Sequence, residues 1–271
     1  MSTISVIIPT WNREATISAA INSALCQTYP ITEVLVCDDG SDDNTKQIVE
    51  EIIKNDSRVK WIEGVRAGLP AVPRNRGLKA SIGEWIAFLD SDDEWLPGKI
   101  QKQMTLLGAT SNKATCTNAF RYISSSQNEG PYFDLKINEI SFRQLIKTNY
   151  VICSSAIISR SLIPVVNEFP EDKIFKAIED YFFWLKVATQ TNFAYMNEPC
   201  LKYYDIPSNS IRKDGDANSQ RNIIFNEWIK WSSVNTKTIN KEDILAVAEE
   251  VKKMNDFGKR KLISNIRRIF K

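Results

Sequence analysis

The sequence predicts an α/β fold: a mostly parallel central sheet with flanking helices, plus a helical extension at the C-terminus. Three observations carry that expectation. Short apolar runs of strand length alternate with segments of helical periodicity through the first part of the chain. Several of those runs end in polar clusters. From residue 219 onward the pattern is helical. With 43% hydrophobic and 25% charged residues in 271, the chain has enough apolar material for a sizeable core.

Residues 4–8 read as a buried strand stopped by Pro9. Asn12 is placed to cap a helix that carries Ile17, Ala20, Ile21, Ala24 and Leu25 on one face. A second strand, 33–37, ends at Asp38-Asp39-Gly40-Ser41. Asp43 or Asn44 caps the next helix, with Ile48, Val49, Ile52 and Ile53 inward. A strand at 59–62, a loop at 64–73 and a helix at 74–80 follow, and Gly83 leads into a strand at 84–89.

That last strand ends in Asp90, Asp92 and Asp93, three carboxylates in four positions. Such crowding is costly unless a cation or a set of donors answers it. A hard divalent metal takes oxygen ligands and often brings substrate phosphates with it. Ligands of open α/β sheets bind beyond the carboxyl ends of the strands. The polar ends of the first, second and fourth strands therefore converge on one crevice.

Past residue 110 the alternation loosens. The expected elements are a strand at 114–123, a polar turn at 124–130 and a short helix at 141–147. A strand at 151–158 holds Ser154 and Ser155 in its middle, and an amphipathic helix at 178–189 opens with Glu179 and Asp180. A broken strand at 193–204 leads into a polar loop at 206–218.

Composition excludes several chemistries. There is no histidine, so no Ser-His-Asp or Cys-His centre and no His-ligated metal is available. The five cysteines are scattered without a Cys-x-x-Cys pair and are expected to be reduced core thiols. No apolar run reaches the ~18 residues of a membrane span, and the first residues lack a signal-peptide pattern. A cytoplasmic location follows as the expectation. A dinucleotide dehydrogenase would need Gly-x-Gly-x-x-Gly, and a nucleotidyltransferase a glycine-rich loop after the first strand. Neither is present.

Residues 252–271 hold eight basic side chains against Asp256 alone, although the whole chain is only +2. Leu262, Ile263, Ile266, Ile269 and Phe270 share one helical face there. A basic amphipathic helix suits an anionic membrane surface, on the inner face of the cell membrane, or a docked position on the domain. Nucleic acid is not expected, because the body is acidic and no groove-reading motif occurs.

Five motifs in order now bear on function: Val6-Ile7-Ile8-Pro9-Thr10-Trp11-Asn12-Arg13, Val36-Cys37-Asp38-Asp39-Gly40-Ser41-Asp42-Asp43, Pro73-Arg74-Asn75-Arg76-Gly77-Leu78, Ala87-Phe88-Leu89-Asp90-Ser91-Asp92-Asp93, and Ile178-Glu179-Asp180-Tyr181-Phe182-Phe183-Trp184-Leu185. Over roughly residues 4–205 the chain resembles glycosyltransferase family 2, whose members have the GT-A fold. The resemblance implies inverting, metal-dependent transfer of one sugar from a nucleoside diphosphate, with UDP expected as the nucleotide. The expected acceptor is a glycan, such as a lipid-linked oligosaccharide of a surface polysaccharide. It divides the chain into a nucleotide-sugar half (1–110), an acceptor and catalytic-base half (111–215) and a basic helical extension (216–271). A non-catalytic sugar-nucleotide or glycan-binding module on the same fold is the rival reading.

The resemblance also implies roles. Pro9, Thr10 and Trp11 border the base, and Trp11 is either a stacking surface or a core residue. Asp39 accepts the N3–H of uracil, or else caps a turn with Asp38 and Asp42. Arg74 pairs with diphosphate oxygens, and Asn75 is a ligand or a helix cap. Asp92 contacts ribose or metal, Asp93 coordinates Mn²⁺ or Mg²⁺, and Asp90 supports them. Asp180 is the general base, because a chain without histidine must use a carboxylate. Trp184 lines the acceptor site or packs in the core. Many relatives have a histidine or arginine in a closing loop; here Arg212 or Lys213 would have to serve. The Gln-x-x-Arg-Trp motif of processive members is absent, which favours single transfers.

Overall fold

The computed structural model describes residues 1–124, 126–206, 217–235 and 239–253. The basic C-terminal helix and Arg212 and Lys213 therefore lie outside the described residues. The first part of the chain runs β1 (Ile4–Thr10), α1 (Ile17–Leu25), β2 (Glu33–Asp38), α2 (Thr45–Asn55), β3 (Val59–Ile62), α3 (Ala71–Ala80) and β4 (Trp85–Phe88). Then follow β5 (Glu94–Trp95), α4 (Lys99–Gly108), β6 (Ala114–Tyr122), β7 (Asn128–Pro131), β8 (Glu139–Ile140) and α5 (Phe142–Leu145). The remainder is β9 (Ile157–Ser159), α6 (Ile163–Val166), α7 (Glu179–Ala188), β10 (Phe193–Tyr204), α8 (Ala217–Val234) and α9 (Lys241–Lys253).

One sheet carries the order β3-β2-β1-β4-β9-β6-β10-β5, with β7 on β6 and β8 on β10. The pairs β1–β2, β2–β3, β1–β4 and β6–β10 are parallel, and β9 joins β4 to β6 antiparallel to both. β1 is buried along its whole length, as a central strand covered on both faces must be. It does not stop at Pro9. The carbonyl of Ile7 accepts from Leu89 N–H, so Pro9, two residues on, faces the same side, beyond the end of β4. Its missing N–H therefore costs no ladder bond there.

Helix α3 lies close on the sheet because Gly77 permits it. A Cβ there would meet Ile7 Cγ2 at 2.5 Å and Cys37 Sγ at 3.0 Å. Around Phe88, edge-on contacts with Phe169, Phe183 and Trp184 build the core at 5.5, 6.4 and 5.5 Å. Trp184 is fully buried, so its packing role is the observed one.

Four local expectations need correction. Asn12 does not cap a helix: α1 starts at Ile17, after Thr16. Asn12 instead adopts φ 50° and exchanges two side-chain bonds with Asp42, which tie two loops together. Residues 151–158 are not one strand, because Cys153–Ser155 forms a 3₁₀ turn before β9. Helix α7 is buried nearly all round rather than amphipathic, and α8 packs against it. Asn75 is neither ligand nor cap, since it lies buried within α3 and bonds both backbone groups of Phe169. The cysteines are free, and all but Cys26 are buried.

Candidate active site

Beyond the carboxyl ends of β1, β2 and β4 lies a cavity of about 340 Å³. Pro9, Thr10, Trp11, Asp39, Arg74, Asp92, Asp93 and Asp180 all line it. These eight residues, singled out from the sequence for nucleotide, metal or base work, thus meet in one place, while Asn75 lies outside the lining. Four buried polar atoms without a protein hydrogen-bond partner belong to the same lining: Thr10 Oγ1, Arg13 Nε, Arg74 Nε and Glu179 Oε2. Buried groups left so are uncommon, and their clustering marks a place built for a polar ligand.

One wall is organised by Asp39, buried after β2. Its carboxylate accepts the N–H groups of Ala67 and Gly68, both at 2.9 Å, and pairs with Arg66 and Arg76. The carboxylate thereby holds the loop over residues 66–68 against the cavity. The Arg66 guanidinium also lies over the Trp11 ring, 3.6 Å from its centroid. Trp11 is 41% exposed, so it is a cavity surface and not a core residue. Asp38 is a turn acid, accepting from Gly40 N–H and the Ser41 backbone and hydroxyl.

The floor is the acidic cluster. Asp93 is buried and accepts from the Ser154 hydroxyl and from Tyr204 N–H at 3.0 Å. Burial, and after it Asp92 and Asp90, pushes its carboxyl well above the ordinary range. Asp92 is more open, with 35% of its side chain exposed, and lies 3.2 Å from Arg13 Nη2. Its carboxyl is also raised, through burial by surrounding protein and the charge of Asp90. Among the described residues, no three carboxylate or thiolate groups close into a ready-made metal cage. The donor set still fits a hard divalent cation shared with substrate oxygens. It offers crowded carboxylates whose charge the neighbouring cations do not fully answer.

Arg74 is 6% exposed and forms two 2.7 Å ion pairs, to Asp90 after β4 and to Glu179 at the start of α7. Its two terminal nitrogens are thus engaged within the protein. The next residue of α7, Asp180, is half-buried, and its Oδ1 accepts from the backbone N–H of Tyr181. Cys153 also lines the cavity, but burial pushes its thiol well up, away from a nucleophilic thiolate.

Arg13, Arg66, Ser154 and Tyr204 were not foreseen. Ser154 left a sequence signal as a polar residue inside an apolar run, and Arg13 as the last residue of the first motif.

A sheet of this topology with a carboxylate-lined crevice at its strand ends defines a GT-A glycosyltransferase. The chain belongs to glycosyl transferase family 2, whose model matches residues 5–166. It is 35% identical to the UDP-Glc:alpha-D-GlcNAc-diphosphoundecaprenol beta-1,3-glucosyltransferase WfgD of Escherichia coli, over 72% of this chain and 73% of that one. Among solved structures it resembles S. aureus TarS 1-349 in complex with UDP-GlcNAc, with a TM-score of 0.72. That match has 21% identity and covers 91% of this chain and 71% of that one. It also resembles a mannosyltransferase of Pyrobaculum calidifontis in complex with GDP-Man and Mn²⁺, with a TM-score of 0.60 at 16% identity over 96% and 78% of the two chains. No helix among the described residues is long and apolar enough to cross a membrane.

Proposed function

We propose that the protein transfers one sugar, with inversion, from a UDP-sugar to a hydroxyl of a lipid-linked glycan in surface polysaccharide synthesis. The observation that carries this reading is the single cavity shared by Asp39, Asp92, Asp93 and Asp180. The named activity of the Escherichia coli relative supports the acceptor class, and the UDP-GlcNAc complex of the structural relative supports the donor class. Residues 1–110 hold the donor, 111–215 supply the base and acceptor side, and 216–271 are an extension to that domain.

Trp11 offers a face to the uracil ring, and Asp39 accepts its N3–H once Arg66 gives way. Pro9 and Thr10 border the base. Mn²⁺ or Mg²⁺ would be held by Asp92 and Asp93 and would neutralise charge on the departing diphosphate. Arg74 acts here as a positioning residue, because its pairs to Asp90 and Glu179 fix the acidic cluster relative to Asp180. Asp180 takes the proton of the acceptor hydroxyl as its oxygen bonds to the anomeric carbon. The anomeric carbon–oxygen bond on the opposite face breaks, and its electron pair leaves with UDP.

The test is Asp180→Asn. The variant should bind UDP as the wild type does while transfer falls by about 10²–10⁴-fold. Undiminished transfer would move the base elsewhere. For the donor site, calorimetry should show UDP binding that strengthens with Mn²⁺ and loses that dependence in Asp92→Ala.

A further inference from the structure

Ser154 and Ser155 stand side by side in the 3₁₀ turn before β9, and both are fully buried. A buried hydroxyl needs a partner, and the two find theirs differently. Ser155 donates within its own segment, to the Ile152 carbonyl at 2.7 Å. Ser154 reaches out of the segment. Its oxygen accepts the Asp90 N–H at 3.0 Å, and its proton goes to Asp93 Oδ2. The direction is fixed, because the amide can only donate and a carboxylate can only accept. The other oxygen of Asp93, Oδ1, accepts the N–H of Tyr204 at the end of β10. The two oxygens are thus held from two different elements, which opposes rotation of the carboxylate.

The turn is itself held from behind. Trp95 Nε1 donates to the Ser154 carbonyl at 2.7 Å, and Gln103 Nε2 donates to the Ser155 carbonyl at 2.9 Å. Lys99 completes this bracket. Its Nζ donates to Gln103 Oε1 at 2.7 Å and lies 4.2 Å from the Trp95 ring centroid. Trp95, Lys99 and Gln103 are all buried. As an ammonium Lys99 only donates, so it fixes which way the Gln103 amide faces. A flipped amide would set two donors against each other and leave the Ser155 carbonyl unpaired. Burying a lysine and an amide here costs stability that apolar side chains would not. What the bracket secures is the place of one turn, and through it the Ser154 hydroxyl.

We propose that Ser154 is a positioning residue, whose hydroxyl aims the Asp93 carboxylate at the divalent cation while Trp95, Gln103 and Lys99 hold the turn that carries it. The inference rests on the reading of Asp93 as a cation ligand. Groups that orient a ligating carboxylate never touch the ion, yet losing one typically costs about 10–100-fold in affinity. The two acids differ in the way this role requires. Asp92 has 35% of its side chain exposed and meets the exposed arm of Arg13, whereas Asp93 is buried and held at both oxygens. Asp93 is therefore the fixed member of the pair, and Ser154 is what fixes it from the β9 side.

The test measures Mn²⁺ binding to the full chain with UDP present, read from the loss of the free-ion EPR signal. Ser154→Ala should weaken Mn²⁺ binding by about tenfold or more, while calorimetric UDP affinity in a chelator stays within about twofold of wild type. Ser155→Ala removes an equally buried hydroxyl from the same turn and should leave Mn²⁺ affinity within about twofold. Trp95→Phe withdraws the indole N–H and should weaken Mn²⁺ binding by about twofold or more. Should Ser154→Ala fail to fold, Ser154→Cys keeps a weaker donor in the same place and should shift Mn²⁺ affinity in the same direction. Unchanged Mn²⁺ affinity in the Ser154 variants, or equal losses in Ser154→Ala and Ser155→Ala, would overturn the positioning role. An unchanged Trp95→Phe would overturn the part given to the bracket. Wild type that binds UDP but no Mn²⁺ would instead overturn the cation reading, and the inference with it.

Discussion

Asp39 receives donors from three consecutive residues, Arg66, Ala67 and Gly68, and from Arg76 besides. Its charge therefore orders a loop and, in our reading, faces the nucleobase. Asp39→Asn should weaken UDP binding by tenfold or more and narrow the preference over CDP, because an amide can donate to the cytosine ring nitrogen. Calorimetry with both nucleotides measures each effect. The sequence was informative at this scale wherever a residue follows a strand directly. Trp11 and Asp39 directly follow β1 and β2, Asp92 and Asp93 lie in the short turn between β4 and β5, and the carboxyl ends of neighbouring strands converge in any such sheet. The pairings of Arg13, Arg66 and Tyr204 were illegible. Their partners lie 79, 27 and 111 positions away, and only tertiary approach pairs them.

Helix α3 and helix α4 each carry a prediction. Gly77→Ala would drive a Cβ into Ile7 and Cys37, and overpacking of this kind costs about 1–3 kcal/mol. Thermal unfolding should register the loss without a change in secondary structure. In α4, Lys99 is fully buried, donates to Gln103 Oε1 at 2.7 Å and lies 4.2 Å from the Trp95 ring centroid. Burial pushes its ammonium down to about 7. Between that value and the ordinary 10.5 the unfolded chain binds the extra proton, so the Lys99 contribution to stability rises with pH across this window. The stability deficit of wild type relative to Lys99→Met should be constant below pH 7. Above it the deficit should shrink by about 1.4 kcal/mol per pH unit. Denaturant titrations at pH 6, 7.5 and 9 give the slope, and a flat difference would contradict it. The alternating first half was readable because periodicity and burial agree there. The stretch over residues 151–158 was not, because the chain turns there so that Ser154 reaches Asp90, Asp93 and the Trp95 indole, a demand set outside the segment.

Across the molecule the sheet is continuous, since β9 joins β4 to β6 and β10 pairs with β6 along most of its length. The acidic end of one half and the base-bearing helix of the other are pinned together by Arg74. Arg74→Met leaves Glu179 and Asp90 without their cation and should cost about 3–5 kcal/mol. In the double variant Arg74→Met with Glu179→Leu, part of that loss should return, because one stranded charge is gone. Chemical denaturation of the single and double variants checks both statements. The parallel run of β1 to β4 and its crevice were legible from the strand pattern, whereas the sheet as a whole is mixed, with antiparallel pairs at β5, β7, β8 and β9. The antiparallel insertion of β9 was not legible, since a three-residue strand leaves almost no periodic trace. The Arg74 bridge also bears on how the chain is made. Its Glu179 partner lies 105 positions downstream and is synthesised long after the arginine. While a ribosome is still making the second half, the first carries an arginine whose burial would leave one of its two partners missing. Burial of Arg74 with both partners in place therefore requires α7.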